Sequence, residues 1–476
     1  MTFERFFVPC ALVAGAVVLL DSCSGPPVVS AGAGGSSSGG TQAEGGSTSG
    51  SAGLGGAGAE LALLGAPLVF APARGALGVN AVVGSGDPDV LALYLREAGK
   101  STWSDPFEPT HPAADVAQWQ LTDLEEGARY EYRIESRDQD PPRLMYEGSG
   151  TTAKPPGETF DFVILGDTHI SPYVTVPGDL YANDYAEYTL LWLADAIQAE
   201  EADFLVNLGD MLDFHWFGFN DPPPDGSYTR LGYLNYRRCM KDALGHAVHF
   251  PVVGNWDGEN GYYAPEEIAY SRAERLNYVP APDDQGFPEG GSPDQDYYAL
   301  TWGDALLVVL NVQSYTEVPL LLDYPMGSPE DWTLGSEQLA WLERTLEAST
   351  SKWKFLFIHH AVGGKAGDDA NSIYGRGGGL AANVGEQAYV HDLMLQHGVQ
   401  IFFYGHDHVF TDMVVDGIHY SLPGSAGAPW KFLDVETGYA DYFIDSGFAR
   451  VEVSPDAVSV DYVSTTGEVL QNYELN

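Results

Sequence analysis

Residues 160–169 read Phe-Asp-Phe-Val-Ile-Leu-Gly-Asp-Thr-His. The first six are apolar at every position but one, the pattern of a strand buried on both faces. The run stops at Gly166, and Asp167 and His169 follow at once. The same device recurs down the chain. Residues 204–208 end at Gly209-Asp210-Met211-Leu212-Asp213, and 250–253 end at Gly254-Asn255-Trp256-Asp257. Residues 353–358 end at His359-His360, and 401–404 end at Gly405-His406-Asp407-His408. A short Asp/His pair arises easily by chance. A series of them, each closing an apolar β-like run, does not. Between these runs, 185–199 carries Tyr188, Leu191, Ala194 and Ile197 at helical spacing, and 336–346 opens as a capped amphipathic helix with Ser336-Glu337-Gln338. Residues 297–300 and 305–310 read as a hairpin about Gly303-Asp304, and 448–453 and 458–463 as two closing antiparallel strands. The alternation predicts an α/β fold from residue 158 to 476. Ligand-type residues at the carboxyl ends of several strands then converge on one edge of a sheet, where such folds place their sites.

The donors are carboxylate and amide oxygens together with imidazoles. That mixture suits Mn, Fe or Zn better than an all-oxygen Mg or Ca site. His246, His249, His391, His397 and His419 fall in no such pattern and are expected to serve packing or the surface.

The rest of the chain reads differently. Arg5 precedes an apolar run at 6–20, too short for a comfortable membrane span and placed where an export signal belongs. Leu20-Asp21-Ser22-Cys23 resembles a bacterial lipoprotein cleavage box, with Asp21 in place of the usual small apolar residue. Residues 1–23 are therefore expected to be a signal ending at a lipidated Cys23, on the cell envelope; an ordinary signal would give a secreted protein. Residues 24–58 are rich in Gly, Ser and Ala and form a flexible tether, a coil of roughly 30 Å root-mean-square span. Of the three cysteines, Cys10 would leave with the signal and Cys239 would be a buried structural thiol. Lys and Arg number 22 against 67 Asp and Glu, a formal charge of −45. Such a chain repels phosphate backbones, which argues against a nucleic-acid-binding surface.

Residues 59–155 read as all-β, with short alternating runs between Gly, Asp and Pro turns. In Leu124-Glu125-Glu126-Gly127-Ala128-Arg129-Tyr130, a glycine turn feeds a strand that starts near Tyr130, the arrangement of a tyrosine corner. This segment resembles a fibronectin type III-like sandwich. The motifs of 158–476, in their order, resemble the calcineurin-like metallophosphoesterases. The pair of segments resembles the purple-acid-phosphatase-like architecture, an all-β sandwich ahead of a four-layer α/β/β/α sandwich.

The resemblance implies two metal ions, Fe, Mn or Zn. Asp167, His169, Asp210 and His408 would hold one; Asp210, Asn255, His359 and His406 would hold the other, with Asp210 bridging. A hydroxide between the ions would attack a phosphate ester. Spacing alone leaves His359 and His360 both open as the ligand, and the resemblance favours His359. Asp257 is expected to orient its neighbours and Asp407 to point away. Two departures matter. Purple acid phosphatases have Tyr where Asp213 stands, so no tyrosinate–iron colour is expected. Trp256 stands where the family usually has His, and an indole cannot shuttle a proton. Three readings follow: His360 or His215 replaces that acid, the substrate has a good leaving group, or the enzyme is slow. Arg376, among the glycines of 375–379, offers a fork of donors for phosphate. The implied function is an exported phosphatase; the alternatives are a phosphodiesterase with the same centre, or a catalytically weak metal-containing surface binding protein.

Overall fold

The apolar runs form strands, and their order explains where the site lies. The computed structural model describes residues 60–171, 182–213, 227–317, 333–360, 385–428, 439 and 441–476. The expected signal, Cys10, Cys23, the tether, His215 and Arg376 lie outside the described residues. The first strands are β1 (Ala62–Leu63), β2 (Leu68–Phe70), β3 (Leu77–Ser85), β4 (Leu91–Glu97), β5 (Val116–Leu121), β6 (Arg129–Ser136) and β7 (Arg143–Thr151). Then come β8 (Phe160–Leu165), α1 (Ala182–Ala199), β9 (Phe204–Asn207), α2 (Ser227–Met240), the short α3 (Ala243–His246), β10 (Val248–Pro251) and α4 (Pro265–Tyr278). They are followed by β11 (Tyr298–Trp302), β12 (Ala305–Val309), α5 (Gly335–Ala348), β13 (Trp353–Ile358), α6 (Gly385–His397) and β14 (Ile401–Tyr404). The chain closes with β15 (Phe410–Val415), β16 (Ile418–Pro423), β17 (Gly447–Val453), β18 (Val458–Ser464) and β19 (Val469–Leu475).

One sheet runs β11-β12-β13-β14-β16-β15, with β12, β13, β14 and β16 parallel. The other runs β1-β3-β2-β10-β9-β8-β17-β18-β19, with β5 also on β3. Between the two sheets lies an aromatic core. Phe162 stacks on Phe204 at 4.7 Å, and Phe162 meets the edge of Phe403 at 6.5 Å. On the outer face of the β8 sheet, Leu190, Leu193 and Ile197 of α1 and Tyr236 of α2 cover Val163, Leu165 and Leu205. On the other outer face, Leu342 and Leu346 of α5 and Val390 and Met394 of α6 cover Leu306, Leu356 and Phe402. These are the four layers the resemblance implies. Period-2 strands bury both faces here, which is why their residues are apolar throughout.

The cap of α5 differs from expectation. Ser336 makes no cap bond; the Leu334 N–H and the Thr333 hydroxyl donate to Glu386 of α6 at 2.6 and 2.9 Å. Thr333, not Ser336, accepts the Gly335 N–H at 2.9 Å, and the carboxylate of a distant helix holds Thr333 in place.

The all-β segment has the expected corner. Gly127 adopts φ +73°, and the Tyr130 hydroxyl accepts the Glu125 N–H at 3.0 Å. Its β4-β6-β7 sheet faces β3 and β5 through Leu93, Ile134, Val79 and Trp119. This segment also joins the sheet behind it: β2 pairs in parallel with β10, Val69 opposite Val248. Arg237 of α2 fastens the same junction. It is fully buried and donates to Asn80 Oδ1, to Asn80 O at 2.6 Å and to Tyr278 O at 3.1 Å. The described residues accordingly form one compact unit. Cys239 is buried, and burial pushes its thiol up to about 12, as a structural cysteine requires. Among the described residues no helix is long and apolar enough to cross a membrane.

Buried His249 of β10 gives a pH dependence. Tyr236 donates its hydroxyl to His249 Nε2 at 3.0 Å, and burial, helped by the Arg237 charge, pushes the imidazole down to about 3. The unfolded chain titrates near its ordinary value of about 6.5, so between about 6.5 and 3 the unfolded state binds more protons. This stability is complete above pH 6.5 and is lost as the pH falls through that window. At pH 4.5 the loss comes to about 3 kcal/mol at ~1.4 kcal/mol per unit. His249→Gln keeps a partner for Tyr236 and does not titrate. Denaturant unfolding at pH 7 and 4.5 should therefore show a smaller acid loss in the variant; equal losses would remove His249 from the account.

Candidate metal centre

The carboxyl ends of β8, β9, β13 and β14, with the loop after β10, meet at one place. Asp167, His169, Asp210, His406 and His408 all adopt positive φ, between 47° and 77°. For non-glycine residues this conformation is costly and gathers at functional sites. It turns each side chain back over the sheet edge just after its strand ends. Gly254 is needed for a different reason: a Cβ there would fall 2.1 Å from the Asp210 backbone nitrogen.

Two groups of donors result. In the first, His169 Nε2 and His408 Nε2 stand 3.2 Å apart. His408 Nε2 is 3.4 Å from Asp167 Oδ1, and His169 Nε2 is 3.6 Å from Asp210 Oδ2. In the second, a ring nitrogen from each of His359, His360 and His406 lies within 4.8 Å of the others. The Asn255 amide oxygen sits between His359 Nε2 at 3.0 Å and His406 Nδ1 at 2.9 Å. Asp210 Oδ2 reaches this group too, 3.1 Å from His359 Nε2, so Asp210 is the residue the two groups share. Every ligand named from the sequence is thus gathered here, and His360 joins them.

The surroundings hold these donors in place. His359 Nδ1 donates to Leu208 O at 2.8 Å, which turns Nε2 inward. Asp210 Oδ1 accepts the Trp256 N–H at 2.7 Å. Buried Asp257 accepts the backbone N–H groups of Gly254, Asp210 and Leu212 at 2.8, 3.1 and 3.1 Å, locking two loops together as the sequence predicts. Asp407 points away as expected, and its Oδ2 accepts the Tyr439 hydroxyl at 2.5 Å. Trp256 sets its indole against the His169 ring, 5.0 Å between centroids at 84°.

The charges show what the site lacks in hydrogens. Burial pushes the Asp210 carboxyl above its usual range, against the pull of His359. Burial and then the Asp210 charge lift Asp213 and Asp257 each to about 7. Burial would lower His359, but the Asp210 carboxylate outweighs it and raises the imidazole to about 9. Asp167 Oδ2 is buried and accepts no hydrogen bond among the described residues, and Asp210 Oδ2 is paired with His359 Nε2 at 3.1 Å. Lone pairs crowded together in a dry interior are costly unless cations stand among them. Two carboxylates, an amide oxygen and imidazoles are a donor set that fits first-row divalent ions. A metal binding here would take the place of protons on these groups.

Some residues near the site were not legible as such. Gln313 touches His360 Nδ1, Tyr439 secures Asp407, and Tyr262 and Tyr263 lie close enough to feel the Asp210 charge. The only local signal for the last two is their nearness to the Gly254 motif.

The fold and this site define a metal-dependent hydrolase of phosphoric esters. Residues 160–410 match the calcineurin-like phosphoesterase family, and the chain belongs to it. The curated relatives include tartrate-resistant acid phosphatase type 5 of Mus musculus, 23% identical over 337 residues, spanning 66% of this chain and 90% of that one. The Sus scrofa protein of the same name is 22% identical over 306 residues, spanning 58% and 77%. Among solved structures, purple acid phosphatase PPD1 from yellow lupin (Lupinus luteus) seeds superposes with a TM-score of 0.61 at 13% identity, over 86% of this chain and 74% of that one. PhoD superposes with a TM-score of 0.61 at 15% identity, over 87% and 88%. These two likenesses speak for the fold.

Proposed function

We propose that this chain is an exported phosphatase with two metal ions at one centre. Asp167, His169, Asp210 and His408 hold the first ion; Asp210, Asn255, His359 and His406 hold the second. The observation that carries this is Asp210 Oδ2, buried between the two donor groups, 3.1 Å from His359 and 3.6 Å from His169. When bound, such ions supply a water nucleophile at neutral pH and offset charge on the phosphoryl oxygens. The chain's own residues supply the geometry. Leu208 O fixes the tautomer of His359, the Trp256 N–H fixes the rotamer of Asp210, and Asp257 fixes the loops that carry Asp210 and Asn255. Arg376 is proposed to bind the phosphate. The relatives named acid phosphatases favour a monoester.

Trp256 favours a second reading, a diesterase or a phosphatase of activated esters, because indole gives no proton to a leaving group. The test is hydrolysis of an aryl phosphate, its diester and an alkyl phosphate, side by side. Trp256→His is expected to raise turnover of the alkyl ester by about 10²-fold and of the aryl ester far less, since general acid help is typically worth ~10²–10⁴. An equal effect on both would mean that proton donation is not what limits this enzyme. No hydrolysis of any ester with both ions bound would favour the binding-protein reading.

The membrane proposal rests on the 6–20 apolar run and Cys23. In a host that processes lipoproteins, labelled palmitate should enter the wild type and not Cys23→Ser; equal labelling would overturn the anchor.

A further inference from the structure

The ligand set taken from the family leaves His360 unused, yet the fold puts it among the imidazoles. His360 is buried at 4% exposure, its ring 3.9 Å from that of His406 and 5.0 Å from that of His359. All three offer ring nitrogens within 4.8 Å of one another. Ring nitrogens gathered this closely could all face one ion.

Gln313 gives the cluster its chemistry. It is buried, at 2% exposure, and its side-chain amide meets His360 Nδ1. Its own backbone is fixed on both sides: its N–H donates to Asn311 Oδ1 at 2.8 Å, and its carbonyl accepts from Gly261 N at 2.9 Å. The two ends of a glutamine amide are assigned from hydrogen-bond partners. With Oε1 turned to the ring, Gln313 accepts the Nδ1–H of His360 and leaves the Nε2 lone pair for a metal. This is the arrangement that ligating histidines use, the second nitrogen donating to a neighbouring oxygen.

We propose that His360 is a third imidazole ligand of the second metal position, oriented by Gln313, and that it tilts this position towards a zinc-class ion. The first group has two carboxylates to two imidazoles. The second would have three imidazoles beside one amide and the shared Asp210. Nitrogen-rich sites favour Zn, Co or Ni, whereas carboxylate-rich ones suit Mn. This rests on the two-metal reading above and assigns His360 as a ligand, so it removes His360 as a proton donor.

The experiment is a Co²⁺ and Zn²⁺ titration of the metal-stripped full chain, followed by visible absorption of cobalt and by zinc competition with a chelator. Circular dichroism checks that each variant is folded. His360→Ala is expected to weaken one of two zinc constants by at least 10–100-fold, the range that even outer partners of metal ligands command, and to change the cobalt spectrum. Its manganese constants should move less. Gln313→Leu should weaken the same constant by about 10-fold, and Gln313→Glu should keep or tighten it by accepting Nδ1–H with a carboxylate. Two ions bound alike by wild type and His360→Ala, with one cobalt spectrum, would overturn the role of His360 and leave the two-metal reading standing. Wild type that takes up only one ion would overturn both.

Discussion

Asp210→Asn is expected to lower turnover of an aryl phosphate by about 10³-fold or more, while leaving the metal-free protein at least as stable as wild type. Asp210 Oδ2 lies 3.1 Å from His359 and 3.6 Å from His169, so one carboxylate serves both donor groups. Its amide isostere keeps the bond from the Trp256 N–H to Oδ1 and loses the charge that would hold two cations together. Charge stabilisation by bound metal is worth several kcal/mol, and each ~1.4 kcal/mol is tenfold in rate. The stability arm has the opposite sign. Burial holds the Asp210 carboxyl above its usual range, which means the fold resists its ionised form. A neutral amide relieves that cost at pH 7. Paired measurements of turnover and of metal-free unfolding separate the two effects. A variant that keeps wild-type turnover would contradict the assignment of Asp210; one that loses activity because it unfolds would contradict the stability argument.

Arg275→Met is expected to destabilise the chain by about 3–5 kcal/mol, the cost of breaking a buried ion pair from one side. Arg275 of α4 and Glu259 are both fully buried, with Nε 2.6 Å from Oε1. Arg275 also donates to the carbonyls of Gln295 and Asp294, each at 2.9 Å. Removing it strands Glu259 with the partly buried Arg272 at 3.1 Å. The effect should reach the site. Asn260, next to Glu259, donates to the Asn255 carbonyl at 2.6 Å, so this pair anchors the loop that presents the Asn255 amide. Denaturant unfolding should show the loss, and Arg275→Met with Glu259→Leu should recover most of it, because an apolar pair often replaces a buried ion pair without penalty. A single variant within about 1 kcal/mol of wild type would show that Arg272 alone suffices for Glu259.

The catalytic half of the fold was legible because its signals are local. The apolar runs at 160–165, 353–358 and 401–404 bury both faces and stop at or just before ligand residues, and the observed strands β8, β13 and β14 begin and end where those runs do. The hairpin at Gly303 and the corner at Tyr130 are local as well. What could not be read depends on partners far apart in sequence. Arg237 and Asn80 are 157 residues apart, and β2 finds β10 through Val69 and Val248, which are about as distant in sequence. Glu386 steadies Thr333 and Leu334 ahead of a helix that begins about 50 residues earlier, so Ser336 drew the cap assignment by default. Gln313 has no motif of its own; it became visible only beside His360. The strands β15 and β16 show no regular alternation of burial, and Asp412 and His419 interrupt their apolar runs, which hides the period-2 signal. His360 shows the limit most clearly. Adjacent histidines at a strand end point to the same small volume only if the chain bends between them, and sequence carries no sign of that bend.

The most direct test is to strip the full chain with a chelator and restore metal in steps, measuring bound metal and aryl phosphate hydrolysis on the same samples. The account predicts no turnover in the stripped protein and a rise that levels off at about two ions per chain. Turnover that survives complete removal of metal, or that saturates while the second position is still empty, would contradict it.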